Sequence, residues 1–211
     1  MQVQSHWVHQ WHLMVLGQSY RRRIMAVTFH SDGRIDGFNR LSMPAGSVIQ
    51  VKYAKDTSYQ NVTNAGLPNV DSNWFDLPNL SLNITPTSSS NKILVLAHAC
   101  GSEQSTCYGL WFRVMRDSTS LGGDNSASGY TSRASVGFGM GTDNTYMDDQ
   151  MGSASFSYMD EPATTSTLTY KVQGISRYSP HQWSYNKSHD TGNSGANGQG
   201  VSTLTLLEVK G

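Results

Sequence analysis

Charge is scarce in this 211-residue chain: 14% of its residues are Asp, Glu, Lys or Arg, and 15 basic side chains cancel 15 acidic ones. A neutral balance creates no long-range field toward a polyanion, so no nucleic-acid partner is expected. The triplet Arg21, Arg22 and Arg23 reads as a solvated charge run. Low charge also argues against disorder, which accompanies high net charge. Long apolar runs are missing as well. No stretch reaches the roughly 18 apolar residues of a membrane-crossing helix. The short apolar patch at 13–16 precedes the arginines, the reverse of a secretory signal. Membrane insertion is therefore not expected.

Cysteine is limited to Cys100 and Cys107. Two thiols alone make no metal site, and their spacing leaves open whether they bridge across a turn or stay reduced at strand ends. His6, His9 and His12 recur every third residue, but no Cys, Asp or Glu lies close in sequence to complete a ligand shell, so no metal is assigned. Catalytic signatures are absent too. There is no Gly-x-Ser-x-Gly elbow around the serines, and no phosphate-cradling glycine loop opens a helix. Asp148 and Asp149, like Asp160 and Glu161, are adjacent in sequence, and neighbours on a strand point to opposite faces. Such pairs do not clamp a glycosidic bond. The expectation is a protein that is not an enzyme and carries no cofactor.

Serine, threonine, asparagine and glycine fill the space left by charge, in short alternating runs. Residues 156–172 hold two of them, Phe156/Tyr158 and Leu168/Tyr170/Val172, separated by Asp160, Glu161 and Pro162. That is the period-two pattern of half-buried strands. Leu204, Leu206 or Leu207, and Val209 repeat it near the C-terminus, where a closing strand is expected to pair into a sheet. Residues 47–53 alternate as well, with Ile49, Val51 and Tyr53 on one face. The polar stretch 55–73 reads as a long loop, and Leu80, Leu82 and Ile84 as a strand after it. Residues 92–98 form the most apolar run, a central strand buried on both faces, with 108–116 as its hairpin partner across the cysteine turn. Residues 122–155 carry seven glycines, and strands there are placed only weakly, at 130–138 and 146–151. Residues 189–200 are a Gly/Asn-rich loop. Eight to ten short strands predict an antiparallel β-sandwich with jelly-roll-like or immunoglobulin-like crossing connections, the jelly-roll-like form being the one adopted.

The sandwich is expected over 44–211, with 1–43 as a short N-terminal extension. Within the extension, Val27 and Phe29, then Ile35 and Phe38, flank Asp32-Gly33, a favoured type I′ turn. So small a hairpin must pack on a neighbour, and it is the candidate attachment element. Met25 also resembles a natural start, so residues 1–24 read either as native or as an appended leader.

Five segments carry a resemblance. They are residues 43–51 (Met-Pro-Ala-Gly-Ser-Val-Ile-Gln-Val), 82–95 (Leu-Asn-Ile-Thr-Pro-Thr-Ser-Ser-Ser-Asn-Lys-Ile-Leu-Val), 112–119 (Phe-Arg-Val-Met-Arg-Asp-Ser-Thr), 158–172, and the ending 202–209 (Ser-Thr-Leu-Thr-Leu-Leu-Glu-Val). In order and spacing, over about 165 residues, the chain resembles a recurring domain of tailed-bacteriophage structural proteins, of tail-fibre or decoration type. The resemblance implies a virion protein assembled in the host cytoplasm, other virion proteins as partners, and a homo-oligomer, with a trimer favoured. It brings no catalytic residue.

One aromatic group remains. Tyr178, His181, Trp183 and Tyr185 lie beside the Gly/Asn-rich loop. Aromatic faces stack on sugars and anchor protein contacts, so these four are the candidate site for a host-surface glycan or protein. The competing reading is that Trp183 and Tyr185, two apart on a strand, share a core-facing side.

Overall fold

The structure is a computed structural model that describes residues 28–29, 35–36, 43–63, 70–103, 109–123, 134–138, 151–176, 182–188 and 198–211. The chain divides into two compact units, Met1–Ser42 and Met43–Gly211. In the first, β1 (Thr28–Phe29) pairs antiparallel with β2 (Ile35–Asp36), with Phe29 opposite Ile35. The expected hairpin therefore has its paired ends. Val27 and Phe38 lie outside the described residues.

The second unit contains β3 (Val48–Asp56), β4 (Gln60–Thr63), a 3-10 turn (Asp71–Asn73), β5 (Phe75–Ile84), β6 (Lys92–Glu103), β7 (Leu110–Arg116), β8 (Thr119–Leu121), β9 (Val136–Phe138), β10 (Gly152–Asp160), β11 (Leu168–Ser176), β12 (Gln182–Tyr185) and β13 (Ser202–Val209). All pairings are antiparallel. One sheet runs β3-β13-β6-β12-β4, with β10 on the other edge of β6; the second runs β5-β11-β7-β8, with β9 also on β7. This is the all-β sandwich that the alternation predicts.

Alternation sets the inner faces. Ile93, Val95 and Ala97 of β6, with Leu204 and Leu206 of β13, share one core with Leu80, Phe112, Val114, Tyr170 and Val172 of the other sheet. Each fully buried large aliphatic or aromatic side chain contributes about 1.5–3 kcal/mol, which makes this double layer the main source of stability.

One connectivity differs from expectation. β6 and β7 are not a hairpin: β6 runs past Cys100 to Glu103 and pairs with β10, β13 and β12, while β7 belongs to the opposite sheet. The two runs within 156–172 likewise separate, β10 going to β6 and β11 to β5 and β7. Periodicity tells which face of a strand is buried, but both sheets bury their inner faces in the same core, so it is blind to which sheet a strand joins. Nor is β6 covered on both faces throughout. Leu94, Leu96 and His98 turn outward, and Leu96 is exposed. Finally, the stretch read as a loop contains β4, a strand whose only buried residue is Val62. One inward side chain in four gave periodicity nothing to detect.

β12 and β13 lie end to end along one edge of β6, Trp183 opposite Glu103, Tyr185 opposite Gly101 and Thr203 opposite His98. They act as one strand interrupted by an excursion, closed at its base by the Lys187–Gln199 bridge.

Candidate functional site

The two ends of the sandwich differ. At one end the connections run two to seven residues. Residues 85–91 join β5 to β6, 117–118 join β7 to β8, and 161–167 join β10 to β11. At the other end Thr63 is opposite Gln182, Glu103 opposite Trp183, and Leu110 opposite both Ser176 and Phe138. From these neighbouring residues depart four connections, through 64–69, 104–108, 139–150 and 177–181, of which only 139–150 is long. All four lie outside the described residues; their anchoring strand ends do not.

The end that holds 85–91, 117–118 and 161–167 is fastened by two carboxylates. Asp160 Oδ1 and Oδ2 accept from Arg116 Nη1 at 2.6 and 2.8 Å, and Oδ2 also accepts from the Tyr170 hydroxyl at 2.6 Å. This clamp joins β10 of one sheet to β7 and β11 of the other. Its neighbour Glu161 faces away, exposed, against Lys92 at 2.5 Å. The adjacent carboxylates do point apart. Glu208 is buried on β13 and accepts from the Thr87 backbone N–H and hydroxyl at 2.6 and 2.7 Å, from Asn91 Nδ2 at 2.6 Å and from Gln50 Nε2 at 2.7 Å. It pins the turn at 85–91 to the closing strand.

The seam between β12 and β13 holds a second buried polar cluster. Asn186, fully buried at φ +56°, donates from Nδ2 to the carbonyls of Asp56 and Ser58, both at 2.9 Å. Its Oδ1 accepts from the Ser202 hydroxyl at 2.6 Å and the Cys100 thiol at 3.2 Å. Tyr185 donates its hydroxyl to Asp56, which also takes the Ser58 N–H and hydroxyl at 2.8 and 2.6 Å. Sequence reasoning missed this cluster. Its one local signal is an Asn directly after a strand, the residue type that tolerates a left-handed backbone.

Electrostatics fix the protonation states here. Burial works against ionised Asp56 and Glu208, yet hydrogen bonds from Ser58 and Tyr185 to the first, and from Asn91, Gln50 and Thr87 to the second, hold both below the usual carboxylate range. Burial, reinforced by Asp56 and Asp160 respectively, pushes Tyr185 and Tyr170 far above the usual phenol range. Burial also raises the Cys100 thiol. At neutral pH the two carboxylates are charged and the phenols and thiol protonated, so none of the five is poised to exchange a proton.

An acid dependence follows. Carboxylates with depressed native values stabilise the fold fully above their unfolded pKa of about 4, and that stability is lost as pH falls through the lower native values. The melting temperature of the wild type is expected to hold from about pH 8 to about pH 5 and to drop below about pH 4. Glu208→Gln should be less stable at neutral pH and show a shallower acid drop. Thermal melts across the series check this; parallel curves for both proteins would remove Glu208 from the account.

The four aromatic-site residues do not come together on a surface. Trp183 and Tyr185 are wholly buried, which corrects the expectation that they form a recognition rim. Trp183 meets Phe75 edge-on at 6.0 Å, and a Cβ at Gly174 would stand 2.8 Å from its ring. The inward side of β12 is a core side, so the competing reading holds for both rings. Tyr178 and His181 lie outside the described residues, in the 177–181 connection. The Cys100 thiol is free and buried within β6, and Cys107 lies outside the described residues. Among the described residues no three His, Cys, Asp or Glu side chains are grouped to hold a metal ion. No helix among them is long and apolar enough to cross a membrane.

No protein-family model matches the chain, and no curated protein sequence does. Among solved structures, a chain from the structure of infectious bursal disease virus Gx strain is similar over 78% of this chain, at 10% identity and a TM-score of 0.34. This chain spans 38% of that one's length. A likeness that low carries no functional argument. The resemblance to tailed-phage proteins therefore rests on the five sequence segments.

Proposed function

We propose that the chain is a non-enzymatic structural protein of a tailed-phage virion, a tail-fibre or receptor-binding component that contacts the host surface with the end of its sandwich from which 64–69, 104–108, 139–150 and 177–181 depart. The observation that carries this reading is the polarity of the fold. One end is fastened through the buried Asp160 and Glu208, while the paired strand ends at Thr63, Glu103, Leu110, Ser176 and Gln182 gather four connections at the other. A rigid scaffold that gathers several connections at one end is an arrangement binding proteins use. Tyr178 and His181 sit in one of those connections and supply the aromatic and imidazole groups that stack on or hydrogen-bond to a glycan or protein. The buried carboxylates serve the fold instead of a reaction, which supports the non-enzymatic reading. The β1–β2 hairpin, with Phe29 opposite Ile35, is the attachment element toward other virion proteins.

The test uses phage particles carrying the double substitution Tyr178→Ala and His181→Ala. Adsorption to host cells is expected to fall at least about tenfold, the loss of roughly 1.4 kcal/mol of contact, with particle yield unchanged. Unchanged adsorption overturns recognition by the 177–181 connection. Lost particle yield with normal adsorption per particle favours the second reading, a capsid-decorating or assembly protein. That reading is supported by the uncovered apolar face of the β3-β13-β6-β10 sheet.

A further inference from the structure

The outer face of the larger sheet has an unusual composition. Register places Val51 opposite Leu207, Leu207 opposite Leu94, and Leu94 opposite Met159, an unbroken apolar row across β3, β13, β6 and β10. The next row reads Tyr53, Thr205, Leu96, Ser157. Neither row contains a charge. Val51, Tyr53, Leu96 and Met159 are between 38% and 58% exposed. Charges stay at the margins: Lys55, beside Thr203, His98 and Ser155, borders one side, and the Lys92–Glu161 pair borders the other next to Val209 and Val48. Outward faces of half-buried antiparallel sheets are ordinarily polar, and contiguous apolar surface of this kind marks an interaction site.

We propose that this face is a two-fold interface with a second copy of the same chain. Three properties select that occupant. The first is symmetry. An isologous contact needs a surface complementary to itself, and the Val51-Leu207-Leu94-Met159 row reads aliphatic or thioether in both directions. A two-fold axis parallel to the strands, between β13 and β6, lays Val51 on Met159 of the second copy and Leu207 on Leu94. The second property is charge. The same operation sets Lys55 against Ser155, Lys92 against Val209 and Glu161 against Val48, so no like charges meet. A strongly charged partner would find no handle in the two central rows. The third is size. Four strands about 4.8 Å apart and seven residues of about 3.4 Å rise project to roughly 450 Å² per copy. Two copies bury roughly 900 Å² of projected area, and corrugated side chains carry the accessible area to the ~1,000 Å² a specific interface needs. Such a contact keeps the strands of the two facing sheets nearly parallel, the aligned mode of sheet packing.

This inference is independent of the proposed recognition end, because it concerns a sheet face and is read by mass instead of adsorption. The full-length protein is examined by sedimentation equilibrium between about 1 and 200 µM, the range that brackets the micromolar dissociation expected of an interface this small. The expected wild-type result is reversible association to twice the chain mass. Val51→Glu with Met159→Glu should give a monomer with an unchanged circular dichroism spectrum and melting profile, since both positions are already exposed. Val51→Glu with Met159→Lys should restore the dimer, because positions 51 and 159 are three strands apart within one chain but meet across the proposed axis. A monomeric wild type overturns the proposal and leaves the face to a different partner. A trimer, or a dimer indifferent to these substitutions, overturns it as well, because association then runs through another surface. Failure of the opposite-charge pair to restore what the like-charge pair abolishes overturns the two-fold geometry.

Discussion

Asn186→Ala is expected to destabilise the sandwich by about 3–4 kcal/mol, from four lost side-chain hydrogen bonds and a left-handed backbone that Ala disfavours. Asn186 is fully buried at φ +56°. Its side chain ties the chain on either side of the β12–β13 seam to the end of β3: Nδ2 satisfies the carbonyls of Asp56 and Ser58, and Oδ1 satisfies Ser202 and Cys100. Its backbone N–H donates to the Cys100 carbonyl at 3.0 Å, and its own carbonyl accepts from the Gly200 N–H at 2.9 Å, both of which survive truncation. Removing the amide leaves the carbonyl of Asp56, the hydroxyl of Ser202 and the thiol of Cys100, all on buried residues, without these bonds, and the Ser58 carbonyl without its bond at the exposed margin. Asn186→Gly separates the two contributions, since it loses the same bonds but accepts positive φ freely; it should be about 1 kcal/mol less damaging than Ala. Urea unfolding of the three proteins measures both differences. A loss below about 1 kcal/mol for the Ala variant would mean that the seam is held by its flanking strands alone.

Asp160→Ala is the second large effect, about 3 kcal/mol of lost stability, at the lower end for a broken buried ion pair because the guanidinium keeps some contact with water. Asp160 is 6% exposed at its side chain and Arg116 23%. Truncation strands both the guanidinium and the Tyr170 hydroxyl, and it cuts the polar link that β10 makes to β7 and β11. Asp160→Asn retains an acceptor for Tyr170 and should lose less. The decisive variant is the double replacement Asp160→Leu with Arg116→Met. Removing both charges together avoids an uncompensated buried ion, so the double variant is expected to be more stable than Asp160→Ala. Thermal melts at neutral pH rank the set. If the double variant is the least stable, the clamp acts through geometry that apolar packing cannot replace.

The two clusters were legible to different degrees. Asp160 was visible as part of a break between alternating runs, and the rule that strand neighbours face apart correctly separated it from Glu161. What the sequence withheld was its partners: Arg116 is 44 residues away and on the opposite sheet. The seam was less legible still. Asp56, Cys100, Asn186 and Ser202 are scattered over most of the sandwich and meet only because β12 and β13 share one edge of β6. Asn186 begins an Asn-Lys-Ser triplet that resembles a glycan acceptor, yet its burial makes it part of the scaffold. For Trp183 and Tyr185, alternation marked a shared side but could not say whether that side faced solvent or core, because a four-residue strand carries too little pattern.

By itself the sequence determined the class of the molecule. Alternation at 80–84, 168–172 and 204–209 and the apolar run at 92–98, with no helical period to compete, left only paired strands, and the inward residues of those strands are the observed core. Those are local properties, set by the period-two geometry of an extended backbone. The tertiary structure alone decided which strands share a sheet, where the buried carboxylates find their donors, and which face of the larger sheet remains uncovered. Each of these depends on pairing between residues tens to more than a hundred positions apart. Hydrogen-bonded ladders accept almost any residue as partner, so the choice falls to the packing of the whole core.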